Sequence, residues 1–234
     1  MNIFIENIAI STVFLLILIN SIGYFYSYLI VSNKIGGNSR IQQNPKLDTK
    51  YLNKHLPLFM LNVVILITLV FIGLYFETFS SYIINTSRST TFIEICSHLF
   101  IILLFDDVFF YILHRFMHEN KYIYSKIHKI HHRANSPIPI DYIYVNPLEW
   151  LSGFIGPFIG ILFLGGVSIY TFWLYLLVRN FHEISIHSGL KTNLIYKIVP
   201  FYGENEHHDM HHLKRDGNYS STFTFMDFLF KTKF

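Results

Sequence analysis

The sequence contains two copies of one histidine pattern, His-x-x-His-His, at residues 128–132 and 208–212. His114 and His118 add a pair that is four residues apart. Residues three or four apart lie on one face of a helix, so each pattern can direct two or three ring nitrogens to one place. Neutral imidazole is a ligand for iron, copper, zinc and nickel. The chemistry that this spacing favours is therefore metal binding.

These patterns contain eight histidines, and His187 and His207 bring the set to ten of the 13 histidines in the chain. One ion takes about four to six ligands, so ten donors predict two ions. The alternative interpretation, a solvated and weakly basic surface, accounts poorly for two complete copies of the pattern. The predicted metal ligands are His114, His118, His128, His131, His132, His187, His207, His208, His211 and His212.

Three carboxylates are predicted to orient ligand histidines by accepting the second ring N–H. Asp107 lies seven residues before His114, which keeps both on one helical face. Glu183 precedes His187 by one turn, and Asp209 lies inside the last histidine pattern. The alternative for Asp107 is an ion pair with a basic side chain near the membrane interface.

The chain that must position these residues is apolar, with 52% hydrophobic and 14% charged residues. Residues 7–33 and 150–178 carry no formal charge, and residues 55–76 form a third such run. A helix needs about 20 mostly apolar residues to cross a bilayer, so the composition predicts a polytopic membrane protein. The first run is too long for a signal peptide, and we expect it to be a retained span. Cys96 is the only cysteine, which excludes an internal disulfide and a sulfur-based metal site.

Spans are predicted at about 8–31, 55–76 and 91–113, followed by a long apolar stretch at 146–187. Gly165 and Gly166 interrupt that stretch and predict a tight hairpin that enters and returns on one side. Segments 33–54 and 132–149 are expected to be connectors.

The positions of the positive charges predict the orientation. The loop between the first two spans carries five Lys or Arg residues and one Asp, which places it in the cytoplasm by the positive-inside rule. In this arrangement only Arg88 of the 18 Lys and Arg residues falls on the outer side, in a loop at 78–90. All the histidine patterns then share the cytoplasmic side.

The three remaining histidines are expected to have no part in metal binding. His55 is expected at a membrane boundary, and His98 is expected to be a hydrogen-bonded core residue. His182 is five residues before His187 and does not share its helical face.

Several spaced segments resemble the fatty acid hydroxylase / sterol desaturase superfamily, the histidine-box membrane di-iron oxygenases. The resemblance runs from about Asp106 to Thr232 and is most like the C-4 methylsterol oxidase branch. The segments are "DDVFFYILHRFMH", "HKIHH", "HSGL", "EHHDMHH" and "GNYSSTFTFMDFLFKT". The resemblance implies a four-span bundle with a cytoplasmic histidine-rich cap, two irons, O2, and electrons from an external donor.

We therefore expect an all-α integral membrane bundle of about four spanning helices or hairpin arms with a cytoplasmic histidine-rich helical cap. It would form one domain over residues 1–234, with the catalytic part at about 91–234. The expected function is O2-dependent, non-haem di-iron hydroxylation or desaturation of a fatty acyl or sterol-like lipid. The alternative is a membrane metal transporter or metal-binding protein without redox catalysis.

The expected partners are the lipid substrate, the membrane and an external electron donor such as a b-type cytochrome, a ferredoxin or a reductase. No nucleic acid partner is expected. Zinc can replace iron in purified protein, because it also accepts imidazole readily. The sequence does not distinguish a bacterial inner membrane from the endoplasmic reticulum.

Overall fold

Helices provide the regular secondary structure in the part of the chain that the computed structural model describes, which is residues 3–43, 45–75, 82–84, 90–193 and 199–234. This confirms the predicted all-α class. The described α-helices are α1 (Ile3–Val31), α2 (Thr49–Tyr75), α3 (Phe92–Glu119), α4 (Lys121–Lys126), α5 (Pro147–Gly153), α6 (Ile155–Phe163), α7 (Ile169–Ile186), α8 (Asn205–Lys214) and α9 (Phe225–Leu229).

Three of these helices are long and apolar enough to cross a membrane, as predicted. They are Asn7–Val31 within α1, Thr49–Gly73 within α2, and the whole of α3. Large apolar side chains remain exposed on them, as Phe14 does at 66%, which is the pattern of helices that face lipid. The protein is a multi-pass membrane protein. The predicted outer loop at 78–90 lies outside the described residues, except for residues 82–84 and 90.

α3 is longer than the hydrocarbon core of a bilayer is thick. Its 28 residues span about 42 Å at 1.5 Å per residue, whereas the hydrocarbon core is about 30 Å thick. His114 and His118 lie in the final two turns of this helix. The fold thus holds this histidine pair near one end of a long, rigid helix.

The break predicted at Gly165 and Gly166 separates α6 from α7. Gly165 and Gly166 have φ values of +68° and +91°, a region that glycine adopts without steric cost. A Cβ on Gly166 would also lie 3.0 Å from the carbonyl oxygen of Tyr82. The arm formed by α5 and α6 is shorter than the three spans and covers Pro147–Phe163.

Two other glycines let α6 pack closely on α3. A Cβ on Gly156 would lie 3.0 Å from Asp106 Cα, and one on Gly160 would lie 3.2 Å from Ile102 Cα. Small residues four apart allow two membrane helices to approach until their backbones nearly touch. This contact holds the hairpin against the helix that carries the first two histidines.

The segment at 132–149, expected to be a connector, is in part a buried element. Its 3₁₀ helix at Pro139–Ile143 is wholly buried, and it packs with α1 and α2 in one hydrophobic core. Asn62 Nδ2 donates to the carbonyl oxygens of Ile143 and Val145 at 2.8 and 2.9 Å. Side chains of the spans thus satisfy the irregular backbone, which is how such backbone is tolerated at membrane depth.

His55, expected at a membrane boundary, is buried inside the protein. It is 2% exposed, and its Nδ1 lies 2.6 Å from Asp141 Oδ1. Its ring stacks on Tyr144 with the centroids 3.8 Å apart. His55 therefore links α2 to the buried 3₁₀ segment, a contact between residues 86 positions apart that the local sequence does not reveal.

Candidate metal centre

Nine of the ten predicted ligand histidines come together in two groups. The five-histidine group contains His114, His118, His128, His132 and His211, and the four-histidine group contains His131, His187, His208 and His212. Within each group, one ring nitrogen of every member lies within 4.8 Å of the others.

The two groups divide each His-x-x-His-His pattern between them. His128 and His132 enter the five-histidine group, whereas the intervening His131 enters the four-histidine group. In α8 the pair His208 and His212 shares the four-histidine group, and His211 points into the other. In each pattern the two histidines that are four residues apart therefore share one group, and the histidine between them enters the other group. This arrangement brings the two groups side by side.

The five-histidine group has the spacing of ligands around an ion. The Nε2 atoms of His118, His128 and His132 form a triangle with sides of 2.9, 2.9 and 3.0 Å. Adjacent nitrogens of an octahedral ion with bonds of about 2.1 Å would be about 3.0 Å apart. His114 Nε2 lies 3.2 Å from His128 Nε2, which extends the set beyond that triangle.

The four-histidine group has similar spacing. His208 Nε2 lies 3.0 Å from His187 Nε2 and 3.1 Å from His212 Nε2. The ring of His131 completes the group, with its centroid 4.6 Å from that of His212. The donors come from the 3₁₀ helix His128–Arg133, the C-terminus of α7 and the middle of α8.

The hydrogen bonds on the other ring nitrogens show why these sites fit a cation. Nδ1 of His114 lies 2.7 Å from the carbonyl oxygen of Tyr219, and Nδ1 of His211 lies 2.7 Å from that of Gly217. A carbonyl oxygen can only accept, so each Nδ1 carries the proton and each Nε2 presents a lone pair. His187 Nδ1 bonds to a carbonyl oxygen in the same way, at 2.9 Å. Lone pairs that face one another repel unless a cation lies between them.

Burial keeps the histidines in the neutral form that binds metals. It lowers the pKa of His131 from 6.5 to about 4, and the pKa of His128 to about 3. Burial is also the largest cause that places the pKa values of His208 and His212 well below the ordinary value. Removal of a group from water disfavours its charged form. The imidazoles are therefore unprotonated near neutral pH.

The three carboxylates that were predicted to orient histidines have different partners in the structure. Asp107 does not orient a histidine; its Oδ1 accepts from the backbone N–H groups of Thr222 and Phe223 at 2.8 and 3.1 Å. Asp209 accepts from Gln42 Nε2 at 3.0 Å rather than from an imidazole. Glu183 comes near its expected partner, with Oε2 3.6 Å from His187 Nδ1. Helical spacing finds residues on one face, but it does not show which neighbouring segment covers that face.

Glu149, which helical spacing does not single out, lies within hydrogen-bond distance of a clustered histidine. Its Oε1 lies 2.8 Å from His128 Nδ1, and its side chain is 10% exposed. A signal was present, because Glu149 is the last charge before the uncharged run at 150–178. A carboxylate at the entrance to an apolar helix needs a partner.

The other histidines lie outside both groups. His207, a predicted ligand, instead places Nε2 3.1 Å from Asp227 Oδ2. His182 Nε2 lies 3.1 Å from the carbonyl oxygen of Ser221. His98 was expected to be hydrogen-bonded, but its buried Nδ1 has no partner among the described residues.

A cavity of about 780 Å³ adjoins both histidine groups. Mostly apolar side chains from α1, α2, α3, α6 and α7 line it, and its volume is within the range of about 300–1,000 Å³ typical of small-molecule sites. The clustered histidines that line it are His114, His128, His131, His187 and His208. A lipid in this cavity would lie against both groups.

Comparison with known families and proteins gives consistent matches. A family model described as fatty acid hydroxylase matches residues 99–232. Methylsterol monooxygenase 1 of Rattus norvegicus is 40% identical over 128 residues, which cover 54% of this chain and 43% of that protein. Methylsterol monooxygenase 1-3 of Arabidopsis thaliana is 38% identical over 143 residues, covering 59% of this chain and 48% of that protein.

A third relative, the methylsterol monooxygenase erg25B of Aspergillus fumigatus, is 32% identical over 156 residues, covering 63% of this chain and 52% of that protein. The chain spans about half the length of the curated relatives that it matches. No solved structure gives a significant match.

Proposed function

Because the chain belongs to the fatty acid hydroxylase family, we propose that it is a membrane-bound di-iron oxidoreductase that uses O2 to hydroxylate or desaturate a lipid. One ion would lie in each histidine group. The observation that carries the proposal is the cavity, since members of both groups line one apolar space. A protein that only stored metal would have no use for a lipid-sized cavity at that position.

The protein residues supply binding, orientation and a dry environment. A C–H bond of a lipid is too strong for side-chain acid or base chemistry, so the bound ions and O2 would supply the oxidising power. Phe110 and Phe158 belong to the apolar wall, which would exclude water and hold the reacting carbon toward the histidines. The carbonyl groups of Tyr219 and Gly217 hold the rings of His114 and His211 in one tautomer.

We propose a sterol-like lipid as the first substrate class to test, with a fatty acyl chain as the alternative. The support is that the relatives are methylsterol monooxygenases by name. Reducing equivalents would come from an external donor, such as a b-type cytochrome, a ferredoxin or a reductase. The active site would face the cytoplasm, as the distribution of Lys and Arg residues favours.

The main alternative is a metal transporter or metal-binding protein, and polar residues in the spans help to separate the two. A transport path would present such side chains to a continuous polar route. Here Ser27 Oγ bonds to the carbonyl oxygen of Gly23, and Asn62 bonds to the buried segment. The Ser27 hydroxyl and the Asn62 amide nitrogen are thus engaged in hydrogen bonds to backbone carbonyl groups.

The test is lipid turnover by purified, iron-loaded protein in lipid nanodiscs with a chemical or enzymatic reductant. A 4-methylsterol and a fatty acyl lipid are supplied separately, and the oxidised products are measured by mass spectrometry with and without O2. We expect product from one lipid only when both iron and O2 are present. Metal uptake into sealed vesicles, with no oxidised lipid under any condition, would instead support the transporter.

A further inference from the structure

We infer that the cavity contains a hydroxyl-binding site, formed by Tyr142, Asn180 and Arg179, that selects a neutral lipid alcohol over a carboxylate. The inference rests on the proposed function to the extent that the cavity is where the substrate binds. It adds the polar group by which the substrate is recognised.

The first observation is that hydrogen-bond acceptors outnumber donors around the hydroxyl group of Tyr142. Its hydroxyl oxygen lies 3.1 Å from Asn20 Oδ1 and 3.2 Å from Asn180 Oδ1. Each amide nitrogen is already committed to its own helix, where Asn20 Nδ2 donates to Leu16 O and Asn180 Nδ2 donates to Leu176 O. Both amide oxygens therefore face one phenol, which has a single proton. One of the two oxygens has no donor.

The oxygen that a ligand can reach belongs to Asn180. Tyr142 and Asn180 line the cavity, whereas Asn20 is 4% exposed and does not. When Tyr142 donates to Asn20, Asn180 Oδ1 is left as an acceptor that faces the cavity. A buried acceptor without a donor costs about 1–3 kcal/mol, so a ligand that supplies a proton there is favoured.

The second observation is an unused donor on the next residue. Arg179 Nε donates to Asp106 Oδ2 at 2.7 Å, and its Nη1 donates to Glu183 Oε1 and to Ser221 Oγ. No described residue accepts from Nη2, although Arg179 lines the cavity. Consecutive residues of α7 thus offer a donor and an acceptor to the same space.

The local charge decides which ligand fits this pair. One guanidinium faces two carboxylates, those of Asp106 and Glu183, so the site is already compensated in charge and would repel another anion. A hydroxyl group both donates and accepts, and it matches Asn180 Oδ1 and Arg179 Nη2 together. A ketone can only accept and would leave Asn180 without a donor. Asn180 lies seven residues before His187, or about 10 Å along α7.

The test is equilibrium binding to the metal-loaded protein in nanodiscs without O2, so that no turnover occurs. The probes are 5α-cholestan-3β-ol, its 3-ketone 5α-cholestan-3-one, and octadecanoate. We expect the alcohol to bind about tenfold more tightly than the ketone, which corresponds to about 1.4 kcal/mol for the additional hydrogen bond. Octadecanoate should bind most weakly of the three.

The Asn180→Leu variant removes the acceptor and keeps the number and branching of the side-chain heavy atoms. We expect its affinity for the alcohol to fall to that for the ketone, while the ketone affinity is unchanged because Arg179 still donates. The unchanged ketone affinity also shows that the variant is folded. Thr68→Val is the matched control, because Thr68 Oγ1 bonds within α2 at an exposed position outside the cavity. It should retain the wild-type preference.

Equal affinities of the wild type for alcohol and ketone, or an Asn180→Leu variant with an unchanged preference, would overturn the inference. These outcomes are independent of the proposed reaction. If the preference for the alcohol is lost in Asn180→Leu, the hydroxyl site is supported whether or not lipid is oxidised. The absence of lipid oxidation in the presence of O2 would contradict only the proposed function.

Discussion

The Nδ1 atom of His128 lies 2.8 Å from Glu149 Oε1, which makes α5 the support of a histidine in the five-histidine group. The second carboxylate oxygen of Glu149 has no partner among the described residues. The carboxylate therefore acts on His128 alone within the described structure. It holds the ring so that Nε2 faces His118 and His132.

Replacing Glu149 should weaken metal binding without abolishing it. We expect Glu149→Ala to lower metal affinity about 10–100-fold, as the loss of a partner behind a ligand usually does. Glu149→Gln should lose less, because the amide oxygen still accepts from Nδ1. Competition with a chelator of known affinity measures the effect. Glu119→Gln is the control and should keep the wild-type metal affinity, since Glu119 is 58% exposed and pairs with Arg115. Metal affinities equal to wild type in both Glu149 variants would contradict the role assigned to Glu149.

Substitution of the adjacent His207 and His208 should have different effects. His207→Ala should retain two ions and partial activity, because His207 bonds to Asp227 rather than to either group. His208→Ala should lose activity and one ion, since its Nε2 lies between those of His187 and His212. Metal analysis and lipid turnover are measured on both variants. Two ions and full activity in His208→Ala would show that this pattern is not a ligand set.

His55→Ala should destabilise the fold while leaving the metal sites filled. The substitution leaves Asp141 buried with one fewer partner and removes the stacking on Tyr144. Loss of one partner of a buried hydrogen bond costs about 1–3 kcal/mol. Thermal unfolding in detergent should show a lower midpoint, with two ions still bound per folded chain. A midpoint equal to wild type would indicate that the contact contributes nothing to stability.

The orientation can be tested by cysteine labelling in a Cys96→Ala background, because Cys96 is the only cysteine and is exposed. Single cysteines replace Tyr82, which is 67% exposed, and Lys214, at the exposed end of α8. An impermeant maleimide added outside intact cells should label position 82 and not position 214. Labelling of both positions from the same side would contradict the predicted topology.

The spans and the histidine patterns could be predicted from sequence because both depend on local periodicity. The three long helices, the break at Gly165 and Gly166, and eight of the nine clustered histidines follow from local patterns in the sequence. Those features depend on residues near one another along the chain.

Features that depend on distant residues could not be predicted in this way. The division of His131 from His128 and His132 depends on a 3₁₀ helix that packs against α8. Asp107 shares a helical face with His114, yet the C-terminal segment covers it and takes its hydrogen bonds at Thr222. The partner of Glu149 is 21 residues away.

The central claim is that each chain binds two ions, one in each histidine group, and metal analysis of two adjacent substitutions tests it most directly. His131 and His132 are neighbours in sequence but belong to different groups. Purified wild-type protein should contain two ions per chain, His131→Ala and His132→Ala one each, and the double variant none. A wild-type protein that binds a single ion, or a double variant that retains two, would contradict the two-site account.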